Sequence, residues 1–226
     1  MLNEILMAVI QAATEFLPVS SSGHLALFQT LTNKPDLFLI TSLHLASFLA
    51  VLVFLRKEVY NLLRFKNPRL WLYLIMATIP AALFGFLFKP FVESIFSSFL
   101  FIGIFFIFTS IILFLTKFAR EGKKLNWKNS LFIGLLQVLA LFPGVSRSGM
   151  TISAGLFSGI DREKAFKFSF LLFIPLVIGA NILEVGNAYI SLPLIISFSV
   201  CFLLSLLFLF FLSYIVRKKK LWIFSL

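Results

Sequence analysis

The sequence predicts an all-α polytopic membrane protein, and three observations predict it. Hydrophobic residues make up 60% of the 226 and charged residues 13%, with 31 Phe and a mean hydropathy of +1.04; a soluble domain carries about 25% charged residues. The apolar residues fall in runs long enough for a bilayer core of ~30 Å, which takes about 20 helical residues. The basic residues behind the net charge of +11 lie between those runs and not along one face. They read as flanks of membrane spans, not as a nucleic-acid surface. Cys201 is alone in an apolar run, so no disulfide framework or thiol motif is expected. The start, Met1-Leu2-Asn3-Glu4, has no basic n-region of a cleavable signal peptide.

Residues 1–226 read as a single membrane domain. Five runs qualify as full spans: 38–55, 70–88, 98–116, 166–183 and 191–216. Two further apolar stretches are short and interrupted. Residues 2–17 run into Pro18 and Ser20-Ser21-Ser22-Gly23-His24, and 130–142 run into Pro143-Gly144 and Ser146-Arg147-Ser148-Gly149. Broken, polar backbone at membrane depth is tolerated only inside protein or beside a water-filled cavity. Both stretches therefore predict re-entrant helix–loop–helix elements, at 2–30 and 130–158.

The two elements resemble each other. An offset of 126 residues lays Val19-Ser20-Ser21-Ser22-Gly23 on Val145-Ser146-Arg147-Ser148-Gly149, and pairs Phe16 with Phe142 and Gln11 with Gln137. The same offset carries the spans at 38 and 70 onto 164 and 196, so the chain divides into repeat halves 1–116 and 129–226. Segments 56–69, 117–128, 159–167 and 217–220 hold 17 of the 20 Lys and Arg, whereas the opposite connections hold Lys34 and Lys89. The positive-inside rule places the first group in the cytoplasm. The first element then enters from outside and the second from inside, which inverts the halves. The repeat also expects a sixth span near 224: either this half has two spans, or the final helix is missing and Leu221-Trp222-Ile223-Phe224 would be its first turn.

Ionisable groups within a membrane are costly and need a reason. Here they gather in the two broken elements: Gln11, Glu15, Ser20, Ser21, Ser22 and His24 in one, Ser146, Arg147, Ser148 and Thr151 in the other. In the second element a helix starting near Ser148 turns its N–H groups and dipole toward an anion. Arg147 adds planar, bidentate donors suited to phosphate oxygens, and Ser146, Ser148 and Thr151 add hydroxyls. The plainer alternative is a Ser-capped helix with a Gly155/Gly159 packing face, which leaves Arg147 unexplained. In the first element Ser21 and His24 share a helix face at i,i+3, the minimum for an activated nucleophile; Glu15 would orient the His or help hold a divalent cation. The plainer alternatives are a capping Ser beside a hydrogen-bonded His, and a Glu15–Arg147 pair that only locks the halves together. His44, mid-span, reads as a buried hydrogen-bonding residue and not as a catalyst.

Gln11-Ala-Ala-Thr-Glu15-Phe-Leu-Pro18-Val-Ser20-Ser21-Ser22-Gly23-His24 and Pro143-Gly144-Val145-Ser146-Arg147-Ser148-Gly149-Met150-Thr151 resemble the two signature segments of the undecaprenyl-diphosphatase (bacitracin-resistance) family. The likeness covers nearly the whole chain. It implies a multi-pass enzyme of the bacterial inner membrane that hydrolyses a polyprenyl diphosphate to the monophosphate and recycles the carrier lipid for cell-wall synthesis. A diphosphate left by outer-face glycan transfer, together with a first element entering from outside, argues for a site opening to the outer face. Bacitracin would be linked only indirectly, through the shared diphosphate. The resemblance implies Ser21 as nucleophile or phosphate ligand, and His24 as acid/base. Glu15 and Gln11 would lie near a divalent cation (Mg²⁺ or Ca²⁺), and Arg147, Ser146 and Thr151 on phosphate. Gln11 stands where the motif also admits a carboxylate, so one motif carboxylate remains. The competing reading is a polyprenyl-phosphate flippase, since inverted repeats and broken helices are transporter features; a membrane scaffold would leave the polar clusters unexplained.

Overall fold

A computed structural model describes residues 1–32, 36–96, 98–183 and 191–226. Every regular element among them is helical: α1 (Leu2–Phe16), α2 (Ser21–Thr32), α3 (Leu37–Phe54), α4 (Arg56–Leu63), α5 (Pro68–Leu87), α6 (Lys89–Ile95), α7 (Phe99–Leu115), α8 (Trp127–Leu139), α9 (Arg147–Phe157), α10 (Arg162–Leu183) and α11 (Leu192–Arg217), with short 3-10 turns at Thr116–Phe118 and Leu221–Ser225.

The helix starts follow local chemistry. Asp36, Asn67, Asn126, Ser146 and Ser191 each cap a helix by accepting a backbone N–H on the side chain, which satisfies a donor that has no partner within the helix. Pro68 and Pro193 sit in the first turns of α5 and α11, where a missing N–H costs nothing. Among the described residues three helical runs are long and apolar enough to cross a membrane: Pro68–Leu87, Phe99–Phe118 and Leu192–Arg217. The expected span at 38–55 ends in an 83° bend between α3 and α4, and this bent pair would make a fourth. The span expected at 166–183 lies on α10, whose side chains from 180 on fall outside the described residues. Of the lightly charged connections, 184–190 lies wholly outside them and 31–37 in part, at 33–35.

Two short helices, α4 and α6, lie within segments that read as plain connections. Leu62 of α4 is buried, and its carbonyl accepts the Trp71 indole N–H at 2.7 Å, which fixes the entry to α5. The segment 221–225, where the first turn of a sixth span was expected, is a 3-10 turn. It packs on α7, where the Ser110 hydroxyl donates to the Ser225 carbonyl at 2.6 Å.

Burial divides the elements into two kinds. Large apolar side chains on α5, α7 and α11, such as Phe86, Leu100 and Phe210, are exposed, as expected of surfaces solvated by lipid. Short α9 is the reverse: its residues Ser148 through Leu156 are all buried, enclosed by α7, α8 and α10. Packing follows a reciprocal scheme. α1 lies against α11, and α8 lies against α5. The α8–α5 approach is backbone-close, since a Cβ on Gly134 would stand 2.6 Å from the Ala77 carbonyl oxygen. Gln137 donates to the same carbonyl at 3.3 Å, and Ser130 donates to that of Tyr73. The two helix breaks, 17–20 and 140–146, meet at the centre of this arrangement.

Candidate functional site

Both breaks are built on the same pattern. In the first, Ser20 Oγ accepts from Gly23 N–H at 3.4 Å and lies 3.2 Å from Ser22 Oγ. In the second, Ser146 Oγ accepts from Gly149 N–H at 3.1 Å and lies 3.3 Å from Ser148 Oγ. The breaks are also clipped to each other. Gly144 N–H donates to Ser20 Oγ at 3.1 Å, and the Ser148 hydroxyl donates to the Phe16 carbonyl at 3.1 Å. Ser20 adopts φ +67°, a left-handed conformation that costs a non-glycine residue about 1–2 kcal/mol. Gly144 stands at φ +97°, where a Cβ would meet the Ile102 carbonyl oxygen at 2.5 Å. Thr109 on α7 completes the joint, donating to the Gly144 carbonyl at 2.9 Å and accepting from Ser146 N–H at 3.2 Å.

Beside this joint lies a cavity of about 250 Å³. Its polar wall includes Glu15, Ser20, Ser21, Ser22, His44, Ser146 and Arg147; its apolar wall includes Leu141, Phe173, Leu176 and Val177. Glu15 is the hub. Arg147 Nη2 donates to its Oε1 at 2.9 Å. On its Oε2 the Ser21 hydroxyl donates at 2.6 Å and Gln11 Nε2 at 3.3 Å, with His44 Nε2 3.7 Å away. The Arg147 guanidinium lies over the Phe173 ring at 4.1 Å and near that of Phe170 at 5.4 Å, and its Nη1 donates to the Ser169 carbonyl at 3.5 Å. One strong cation and one carboxylate thus face a mostly apolar chamber, so an arriving anion meets little competing water, and electrostatic attraction there is stronger than in solution.

The structure brings Glu15, Ser21, Ser146 and Arg147 to one cavity and sends the other expected residues elsewhere. The Ser21–His24 pair does not form. A shared helix face leaves the rotamers free: Ser21 turns back to Glu15, whereas His24 donates from Nδ1 to the Ser20 carbonyl at 2.8 Å and packs edge-on against Phe106. Its ring lines a second cavity with Phe106, Thr109 and Ser110. Ser148 and Thr151 are 1% exposed and do not line the site cavity. The Ser148 hydroxyl is engaged with Phe16; that of Thr151 donates to the Arg147 carbonyl at 2.8 Å and lies 2.6 Å from Ser169 Oγ. Gln11 is buried behind Glu15, its Oε1 without a hydrogen-bond partner among the described residues.

Four residues that the sequence reading passed over or set aside complete the surroundings: His44, Thr109, Ser169 and Phe173. The first three are polar groups inside apolar runs, and that oddity was their available signal. Among the described residues no group of three or more His, Cys, Asp or Glu could hold a metal ion.

The comparisons agree with one another. The family model described as bacitracin resistance protein BacA matches residues 4–226. The undecaprenyl-diphosphatase of Thermosipho africanus is 43% identical over 99% of this chain and 94% of its own length. The undecaprenyl-diphosphatase of Methanococcus maripaludis strain C7 is 40% identical over the same shares. That of Thermotoga sp. strain RQ2 is 42% identical over 98% and 94%. With a family model covering almost every residue and relatives this similar end to end, the chain belongs to the BacA bacitracin-resistance family of membrane proteins.

Proposed function

We propose that this chain hydrolyses undecaprenyl diphosphate to undecaprenyl phosphate and inorganic phosphate, returning the carrier lipid to cell-wall synthesis and supporting bacitracin resistance. The observation that carries the chemistry is the Ser21 hydroxyl, which donates at 2.6 Å to a Glu15 carboxylate held on its other oxygen by Arg147. A flippase has no need of a hydroxyl poised on a carboxylate, and the relatives bear the name of a phosphatase.

In this reading the diphosphate enters the cavity with its terminal phosphate toward Arg147 and the N-terminus of α9, while the first prenyl units lie on Phe173, Leu176 and Val177. Ser21 Oγ attacks the terminal phosphorus in line and its proton passes to Glu15. The bridging P–O bond breaks, and undecaprenyl phosphate leaves as a good leaving group. Arg147 and the α9 N–H groups stabilise charge on the equatorial oxygens. Water then cleaves the phosphoserine. Ser146 stands at the wall as a phosphate ligand. Ser148 and Thr151 act from behind, by anchoring α9 and Arg147. His24 holds the Ser20 carbonyl, and so the left-handed turn that presents Ser21.

A divalent cation belongs to the proposal, because a diphosphate brings two or three negative charges to one Arg. Its protein donor at the cavity would be Glu15, with the orphan Oε1 of Gln11 one turn behind it on α1 and the remaining ligands substrate oxygens; when bound it would neutralise charge on the diphosphate. We place the enzyme in the bacterial inner membrane, with the halves 1–116 and 129–226 as an inverted repeat. Reciprocal packing of α1 on α11 and α8 on α5 supports that arrangement, as do the matching hydrogen bonds at the two breaks. Charge distribution supports a site open to the outer face.

Purified protein in detergent should release inorganic phosphate from undecaprenyl diphosphate. Release should stop with excess chelator and return with Mg²⁺ or Ca²⁺. Protein that moves the lipid across vesicles but releases no phosphate would reverse the choice of function, and full activity in chelator would remove the cation.

A further inference from the structure

The hydrogen bonds of Arg147 do not by themselves fix the plane of its guanidinium. Nη2 donates to Glu15 Oε1 at 2.9 Å, whereas Nη1 reaches the Ser169 carbonyl only at 3.5 Å. The longer contact is at the limit of a hydrogen bond, which leaves the group free to hinge about the shorter one. An aromatic face removes that freedom. The guanidinium centre lies 4.1 Å from the centroid of the Phe173 ring, against 5.4 Å for Phe170. Phe173 is 3% exposed yet borders the cavity. Little water screens the ring from the cation, and such contacts are stronger when desolvated. The ring is also held in register. Ser169 and Phe173 stand one turn apart on α10, at i,i+4, and so share a helix face. Ser169 Oγ lies 2.6 Å from Thr151 Oγ, one turn beyond Arg147 on α9, which pins the two helices where cation meets ring.

We infer that Phe173 is a positioning residue that holds the Arg147 guanidinium flat, with its N–H edge free for the diphosphate. The inference rests on the phosphatase reading above and adds to the prenyl contact proposed there. Guanidinium N–H groups all point outward in the plane of the group. A ring on its face therefore blocks none of them, and with no acceptor it competes for none. A second carboxylate in that place would draw N–H groups away from phosphate, and Glu15 already takes one. Bidentate grip on phosphate oxygens depends on the orientation of the plane. A guanidinium free to tilt would keep its charge near the substrate and lose its alignment, so the loss should appear in turnover of substrate and not only in stability.

The experiment places mono-, di- and trifluorophenylalanine at position 173 of the full chain. Fluorine drains the negative face of the ring with little change in its size. Phosphate release from undecaprenyl diphosphate is measured in detergent, well below the thermal midpoint of every variant, so that unfolded protein does not enter. kcat/KM should fall stepwise, by ~10-fold at the trifluoro ring, the scale of a desolvated cation–ring contact. Fluorination makes a ring more apolar, so a ring that served only the prenyl chain would give a flat or rising series. Phe173→Leu stays apolar but has no aromatic face, and should lose at least as much. The same fluorinated series at Phe170, the more distant ring, which packs on Phe16 and Phe166, should be shallower. A flat or rising series at 173, a series at 170 as steep as that at 173, or wild-type kcat/KM in Phe173→Leu would overturn the assignment. Failure of the phosphatase reading is distinct: the wild type itself would then release no phosphate.

Discussion

Arg147→Lys keeps the positive charge beside Glu15 but loses the planar fork, so it separates two roles for the side chain. If Arg147 only neutralises Glu15 to lock the halves together, the Lys variant should turn over normally. If it also grips phosphate, kcat/KM should fall at least ~10-fold, about 1.4 kcal/mol, with thermal stability close to wild type. We expect the second outcome, because the guanidinium is stacked on Phe173 and aimed across the cavity with Nη2 on Glu15. Arg147→Ala is a harsher test. It leaves Glu15 buried with only the neutral donors Ser21 and Gln11, and stripping a buried charge of its partner costs about 3–5 kcal/mol. Its thermal midpoint in detergent should therefore drop along with turnover. At this scale the sequence was informative where a polar residue had no structural excuse: Glu15, Ser21 and Arg147 stood out because membranes penalise them. It was uninformative about direction. Spacing put Ser21 and His24 on one face, yet the Ser21 hydroxyl finds the nearer carboxylate across the break, and His24 finds a carbonyl one turn back.

Among the elements, the second break is held most tightly from α7. Gly144→Ala would force a Cβ to 2.5 Å from the Ile102 carbonyl oxygen at a positive φ, and should cost about 3 kcal/mol from backbone strain and overpacking together. Gly103, also on α7, has nothing among the described residues within 4 Å of where a Cβ would stand. Gly103→Ala should thus be neutral or slightly stabilising, since alanine is the better helix former by roughly 1 kcal/mol. Thermal unfolding of the two variants side by side in detergent checks this, and equal midpoints would mean that the joint is looser than its geometry. Away from the spans, the 119–126 segment is tied to the start of α10 by Glu121, which accepts from Arg162 Nε at 2.8 Å. Partial burial pushes the Glu121 carboxyl up, but the Arg162 backbone N–H and guanidinium outweigh it and hold the group below the usual carboxylate value. A lowered folded value means that this tie is at full strength above the ordinary carboxylate pKa and is lost as pH falls through the lowered one. Amide exchange across 119–126 should accordingly speed up in acid, after correction for the intrinsic rate, and Glu121→Gln should abolish that extra acceleration. The long apolar helices were legible from run length alone, within one to four residues at each end. α4 and α6 were not, because short basic or Pro-led segments carry no period that sets them apart from connections.

For the whole molecule, the inverted repeat proposed from the 126-residue offset would make counterparts of the Ser20/Gly23 and Ser146/Gly149 bonds and of the α1–α11 and α8–α5 contacts. Helix packing has no direction relative to a membrane, so the sidedness proposed for this chain rests on charge alone. Segments 56–69 and 117–128 hold five Lys or Arg each, and moving either across a bilayer is opposed by the same bias that sets topology in other multi-span proteins. Cys201 is fully buried and contacts Ser47, so Cys201→Ser gives a background with no native thiol and little structural change. In that background Lys66→Cys and Lys124→Cys should resist an impermeant thiol reagent applied to intact cells and react after lysis. Lys89→Cys, 62% exposed at the opposite end of α5, should react from outside without lysis. Labelling of positions 66 and 124 from outside, with 89 protected, would invert the whole arrangement. The cavity at Glu15 and Arg147 would then open to the cytoplasm, where it would meet newly synthesised diphosphate lipid instead of the diphosphate left by glycan transfer.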